Sequence, residues 1–159
     1  MTSLHDHDHC VHEALSLAEK LCRERSVRLT PLRRKVLELI WEDHRAVKAY
    51  DLLGRLKPTS SAKPATVYRA LDFLIAQGLI HKLERLNAFI GCRCSDRPHQ
   101  GILLICKRCS QVEELPAQEP VAELMAAIRQ TGFAPKRQTL EVLGLCASCQ
   151  ASSPSGSEA

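Results

Sequence analysis

The spacing of apolar residues changes along the chain, from helical steps in the first half to mixed alternation and short apolar runs in the second. Over residues 11–25, Ala14, Leu15, Ala18, Leu21 and Cys22 recur at three- and four-residue steps, which marks one face of a helix. Cys22 sits on that face as a small buried hydrophobe. A second helix is predicted over residues 31–42. Thr30 suits its N-cap and Pro31 its first turn, and Val36, Leu37, Leu39, Ile40 and Trp41 form a wide apolar stripe. A third, over residues 47–56, is short and stops before Lys57-Pro58, because proline disfavours helical geometry at the preceding residue. A fourth opens after Lys63 and runs to Gln77, with Val67, Ala70, Leu71, Leu74 and Ile75 inward and Gly78 as a left-handed stop.

From there the period drops to two. Residues 79–85 and 88–93 alternate as the strands of a hairpin turned near Leu86-Asn87. Beyond a polar link at residues 95–100, residues 102–105 read as a buried strand and 111–115 as the strand leading back. Residues 120–130 read as a helix carrying Val121, Leu124, Met125 and Ile128 on one side, and 138–143 as a further strand. The fold class is therefore α+β: an N-terminal winged helix-turn-helix followed by a small α/β unit. The domain plan assigns residues 1–9 to a flexible tail, 10–85 to the winged helix and 86–100 to the wing end and hinge. Residues 101–150 form the second domain, and the Ser-rich stretch 151–159 is expected to be disordered.

The chemistry lies in two C-x2-C pairs, Cys106 with Cys109 and Cys146 with Cys149, separated by 36 residues. Four thiolates are the ligand set of a closed tetrahedral zinc site, and each two-residue spacer lets the backbone turn so that both sulfurs face one ion. The gap exceeds the usual zinc-ribbon spacing, so the intervening stretch should be a folded unit that the metal staples shut. Two redox or disulfide pairs are the alternative, disfavoured by a reducing cytosol and by charged residues where a signal peptide would be apolar.

With 159 residues, 45% of them hydrophobic, the chain can build one sizeable core or two small ones. No apolar run approaches the ~18 residues of a membrane span. A cytoplasmic protein with no membrane partner is expected. Overall charge is +4, but residues 20–85 hold 15 Lys and Arg against 7 Asp and Glu. That asymmetry points to a polyanion, nucleic acid before membrane, for the first half. Residues 5–12, His-Asp-His-Asp-His-Cys-Val-His, read as a solvated terminus with an accessory metal capacity.

Leu29-Thr30-Pro31-x-Arg33, Ala49-Tyr50-Asp51-Leu52-Leu53, Thr66-Val67-Tyr68-Arg69-Ala70-Leu71 and the two C-x2-C pairs, in this order, resemble the ferric uptake regulator (Fur) family and its zinc uptake regulator (Zur) branch. The resemblance covers about residues 10–150. It implies a homodimeric metalloregulator that represses transcription when its metal is bound, with the second domain serving dimerisation. It implies a regulatory zinc held by His81, Cys92, His99 and Glu114, with Cys94 as a rival to Cys92 and Glu113 to Glu114. With the structural four-cysteine site that makes two zinc ions per chain. A thiolate with two imidazoles favours zinc, whereas an all-nitrogen and oxygen set better suits ferrous iron or manganese.

For DNA the resemblance points to Tyr50 and Arg69 as base readers, Thr66 and Tyr68 beside them and Lys63 on phosphate. Arg69 is apt because a guanidinium grips guanine O6 and N7 together; Tyr68 could instead be core. The expected partner is double-stranded DNA with a near-palindromic operator, read by two copies of the chain. The expected function is zinc-responsive repression of zinc uptake genes. Alternatives are a sensor of iron, manganese or peroxide on the same fold and, from another class, a zinc storage or delivery protein. No enzyme and no small organic substrate are expected, since no open metal site, nucleophile elbow or phosphate loop is present.

Overall fold

The computed structural model describes residues 7–42, 45–56, 63–93, 101–135 and 138–152, with only the backbone of residues 7, 8 and 101. Residues 94–100, which include Cys94 and His99, lie outside the described residues, as do residues 1–6 and 153–159. The chain forms two compact units, Met1–Pro98 and His99–Ala159.

In the first unit, helix α1 spans His7–Glu24 and α2 spans Pro31–Trp41. Strand β1 is Val47–Lys48, α3 is Ala49–Leu56 and α4 is Pro64–Ala76. The hairpin strands β2 and β3 are Ile80–Leu83 and Ala88–Gly91. The core is built around α2, whose Val36, Leu37 and Ile40 are buried among Ala18 and Cys22 of α1, Leu52 and Leu56 of α3, and Val67, Leu71 and Leu74 of α4. Burial pushes the Cys22 thiol above its ordinary value, as befits an uncharged core residue.

The capping residues act as their chemistry requires. The Thr30 side chain accepts the Arg33 N–H, and Pro31 occupies the first turn. At the end of α4, Gly78 N–H reaches Ile75 O and Leu79 N–H reaches Leu74 O, a paired closure that needs the left-handed φ of 69° at Gly78. Asn87, with φ of 45°, turns the hairpin.

Two elements differ from the sequence expectation. Val47 and Lys48 do not begin a helix. They form β1, paired antiparallel with Phe89 and Ala88, and make a three-stranded sheet in the order β1-β3-β2. The buried side chain of Val47 is held by this distant strand, which overrides its place in a helical stripe. Helix α1 also begins at His7, earlier than residue 11, because Cys10 and Val11 pack on the core and His9 Nε2 lies 3.1 Å from Glu13 one turn on.

The second unit is a sheet in the order β5-β4-β6, with β4 Gly101–Cys106, β5 Val112–Pro116 and β6 Leu140–Gly144. Helices α5 (Gln118–Gln130) and α6 (Ala147–Ala151) complete it. β4 pairs antiparallel with β5 and parallel with β6. Helix α5 lays Val121, Met125 and Ile128 over Ile102 and Leu140. Leu124, expected among them, is 43% exposed and takes no part in the cluster under α5. Among the described residues, no helix is long and apolar enough to cross a membrane.

Gly91 lies directly beneath the indole of Trp41, where a Cβ would overlap the ring. Gly91→Ala is therefore expected to cost about 1–3 kcal/mol by overpacking, read as a lower denaturant midpoint with altered Trp41 fluorescence. Gly54→Ala, inside α3 with nothing near its would-be Cβ, should instead raise the midpoint, by about 0.5–1 kcal/mol of helix propensity.

Candidate metal centre and nucleic-acid interface

The four knuckle cysteines come together because their strands are parallel neighbours. Cys106 ends β4 opposite Gly144, the last residue of β6, so both C-x2-C segments leave the sheet at the same end. Lys107 N–H binds Gly144 O at 2.9 Å and holds the first turn against the second strand. Ser110 closes that turn with φ of 59° and an N–H to Cys106 O at 3.0 Å. The second turn is the start of α6, with Cys146 at its N-cap and Gln150 N–H on Cys146 O. One sulfur from each of Cys106, Cys109, Cys146 and Cys149 lies within 4.8 Å of the other three. Cys109 Sγ is 3.7 Å from Cys146 Sγ.

Charge at this cluster is prepared unevenly. Backbone N–H groups of Cys109 and then Cys146 pull the Cys106 thiol down to about 6. Cys146 is lowered, first by the Ser148 hydroxyl 3.2 Å away. Cys149 is pushed up to about 12, chiefly by its hydrogen bond to Cys146. Cys106 is thus biased toward the thiolate and Cys149 toward the thiol. Four soft donors in a compact half-buried group fit a tetrahedral zinc with no open position. Arg108, between the first pair, donates to Cys149 O at 3.1 Å and ties the knuckles together across 41 residues. Nothing in a spacer residue announces that bond; the parallel strand pairing creates it.

In the first unit, His81 on β2 stands opposite Ile90, and Cys92 extends β3 by donating its N–H to Leu79 O. Residues 79, 81, 90 and 92 therefore share one face, and a ring nitrogen of His81 lies within 4.8 Å of Cys92 Sγ. Cys92 is buried and His81 half-buried. In the second unit, Glu114 on β5 is half-buried opposite Leu103, whereas its rival Glu113 is exposed and lies on the other face. His99 and Cys94 fall outside the described residues.

The outer surface of the first unit carries the other candidates. Tyr50, at the second position of α3, is 81% exposed. Lys63 is the N-cap of α4, and Thr66, Tyr68 and Arg69 follow on its first two turns, all exposed. Tyr68 is 49% exposed and no part of the core, while its neighbour Val67 is fully buried.

The ferric uptake regulator family profile matches residues 24–143. The zinc uptake regulation protein of Escherichia coli (strain K12) is 45% identical over 141 residues, which is 86% of this chain and 81% of that protein. A solved structure of a zinc uptake regulator complexed with zinc and DNA superposes with a TM-score of 0.83 at 42% identity, covering 89% of this chain and 95% of that one. The crystal structure of holo XcZur gives a TM-score of 0.81 at 46% identity over 87% of this chain and 97% of that one. The fold agrees with these relatives, and the chain belongs to the ferric uptake regulator family.

Proposed function

We propose that this chain is a zinc-responsive DNA-binding repressor of zinc uptake genes, active as a zinc-loaded homodimer. The observation that carries the reading is its likeness, along nearly its whole length, to a zinc uptake regulator complexed with zinc and DNA. The domain plan is the one read from the sequence: a winged helix over residues 10–85, a wing end and hinge over 86–100, and a dimerisation domain over 101–150.

Two zinc sites per chain serve different purposes. Cys106, Cys109, Cys146 and Cys149 hold a permanent ion that closes the second unit. Its role is structural, since four protein ligands leave no position for a substrate. His81, Cys92, His99 and Glu114 hold the regulatory ion. Closeness of the His81 and Cys92 donors on one strand face supports the first two, and the half-burial of Glu114 favours it over exposed Glu113. The regulatory site's mixed donor set, with one thiolate in place of four, exchanges more readily than the four-cysteine site.

Homodimerisation is supported by apolar surface on the second unit. Leu115 and Val142 lie on the sheet face that α5 only partly covers, and they are 45% and 51% exposed. Leu124 and Leu145 are also exposed, and Leu104, Val142 and Leu145 line an open cleft beside the knuckles. A patch of this kind asks for a protein partner, and a second copy supplies the matching one. Two copies of α4 then present Arg69, Thr66 and Tyr68 to successive major grooves, with Tyr50 alongside and Lys63 on phosphate.

Three outcomes test the reading. Cys92→Ser is expected to leave a folded dimer with about one zinc fewer per chain and no zinc-dependent DNA binding, while Cys106→Ser loses the dimer; metal analysis, light scattering and DNA titration decide. DNA gripped only with iron would defeat it. Arg69→Ala should weaken binding to a duplex selected by the parent from a random library by about 1–3 kcal/mol with zinc content unchanged. Zinc affinity of the four-cysteine site should rise with pH. Because Cys106 is already ionised above pH about 6 while Cys149, near 12, must release its proton to bind, the constant gains at least about tenfold per unit between pH 7 and 8. Chelator competition across that range measures it.

A further inference from the structure

Four residues of α4 and its C-cap form one continuous stripe. Thr66, Arg69, Phe73 and Gln77 follow one another at steps of three and four, so they line a single face of the helix. The front half holds two of the residues proposed to read DNA. The back half is held by two arginines from elsewhere in the first unit. The Arg33 guanidinium of α2 lies 3.6 Å from the centroid of the Phe73 ring. Its Nη1 also donates to Arg28 O at 2.6 Å, so the stacked group is fixed from its own side. Arg25, just beyond α1, donates through Nη1 to Gln77 O at 2.6 Å and to Gln77 Oε1 at 3.3 Å.

These contacts restrain different motions. A planar cation on an aromatic face resists rotation of α4 about its axis, since any turn carries the ring out from beneath the guanidinium. A cation on the C-cap carbonyl resists sliding along the axis and meets the negative end of the helix dipole. We infer that Arg33 and Arg25 are positioning residues that set the rotation and depth of α4, and so the register of Arg69 on a base edge, without touching DNA themselves. The inference rests on the DNA-binding reading above.

The test uses the full-length zinc-loaded protein and two probes: a duplex selected by the parent from a random double-stranded library, and a scrambled duplex of equal length and composition. For Arg33→Ala, the ratio of selected to scrambled affinity is expected to fall by about two- to fivefold, the range of one such contact, with scrambled affinity and salt dependence unchanged. Phe73→Leu, which keeps the bulk and removes the ring, should give the same fall, and the double variant no more than either alone. Arg33→Lys should not restore the ratio, since an ammonium lacks the planar face. Arg25→Ala should lower it too.

An equal loss on both duplexes, with the salt slope reduced by about one, would make Arg33 a phosphate contact and overturn the inference. An unchanged ratio would overturn it as well. A parent that selects no sequence at all would remove the DNA-binding reading and this inference with it, whereas selection by the parent with an unmoved variant ratio removes the inference alone.

Discussion

A three-stranded sheet covered by one helix buries too little apolar surface to hold itself together, and the second unit lives under that constraint. Under α5 its core is Ala117, Val121 and Met125 with Ile102, Ile128 and Leu140, and Leu115 and Val142 on the same sheet face stay exposed, while Leu103 and Ile105 are buried on the other face. Small units of this kind need a covalent or metal staple or a partner. The parallel pairing of β4 with β6 makes the staple available, because parallel neighbours end on the same side and deliver both cysteine pairs to one point. Antiparallel pairing would have placed them at opposite ends of the sheet.

The first unit solves its problem differently, with a larger apolar core. Helix α2 is the common element, contacting α1, α3, α4 and β3. Its termini are used as well as its faces. The Arg55 side chain from α3 reaches the Leu39 carbonyl and the Glu42 carboxylate at one end, and Arg33 meets Phe73 of α4 near the other. The helices that carry Tyr50 and Arg69 are therefore each tied to the same element by a directional contact as well as by apolar burial, which is non-directional.

Much of this was legible in the residues themselves. Thr30-Pro31 and Gly78 marked helix ends through chemistry confined to a few neighbours, and local signals of that kind survive folding unchanged. The C-x2-C pairs declared a common ligand type before any contact between them was known. What could not be read depends on residues far apart in the chain. Val47 and Lys48 pair with Phe89 and Ala88 some forty residues later, and a two-residue strand has no period to detect. The exposure of Leu124 depends on which α5 positions meet the sheet, and the choice between Tyr68 as core or surface on its place beside Val67, which takes the inward position. His81 and Cys92 share a face only because the hairpin register sets Ile80 against Gly91.

The short strand β1 has a mechanical consequence. Val47 is paired with Phe89. Three residues beyond Val47 stands the phenol of Tyr50, and three beyond Phe89 stands the thiol of Cys92. The route between them runs along β3, across one ladder pair to β1 and into the first turn of α3. Whatever tugs on that thiol pulls, through one rung of a ladder, on the aromatic ring at the far edge of the same unit.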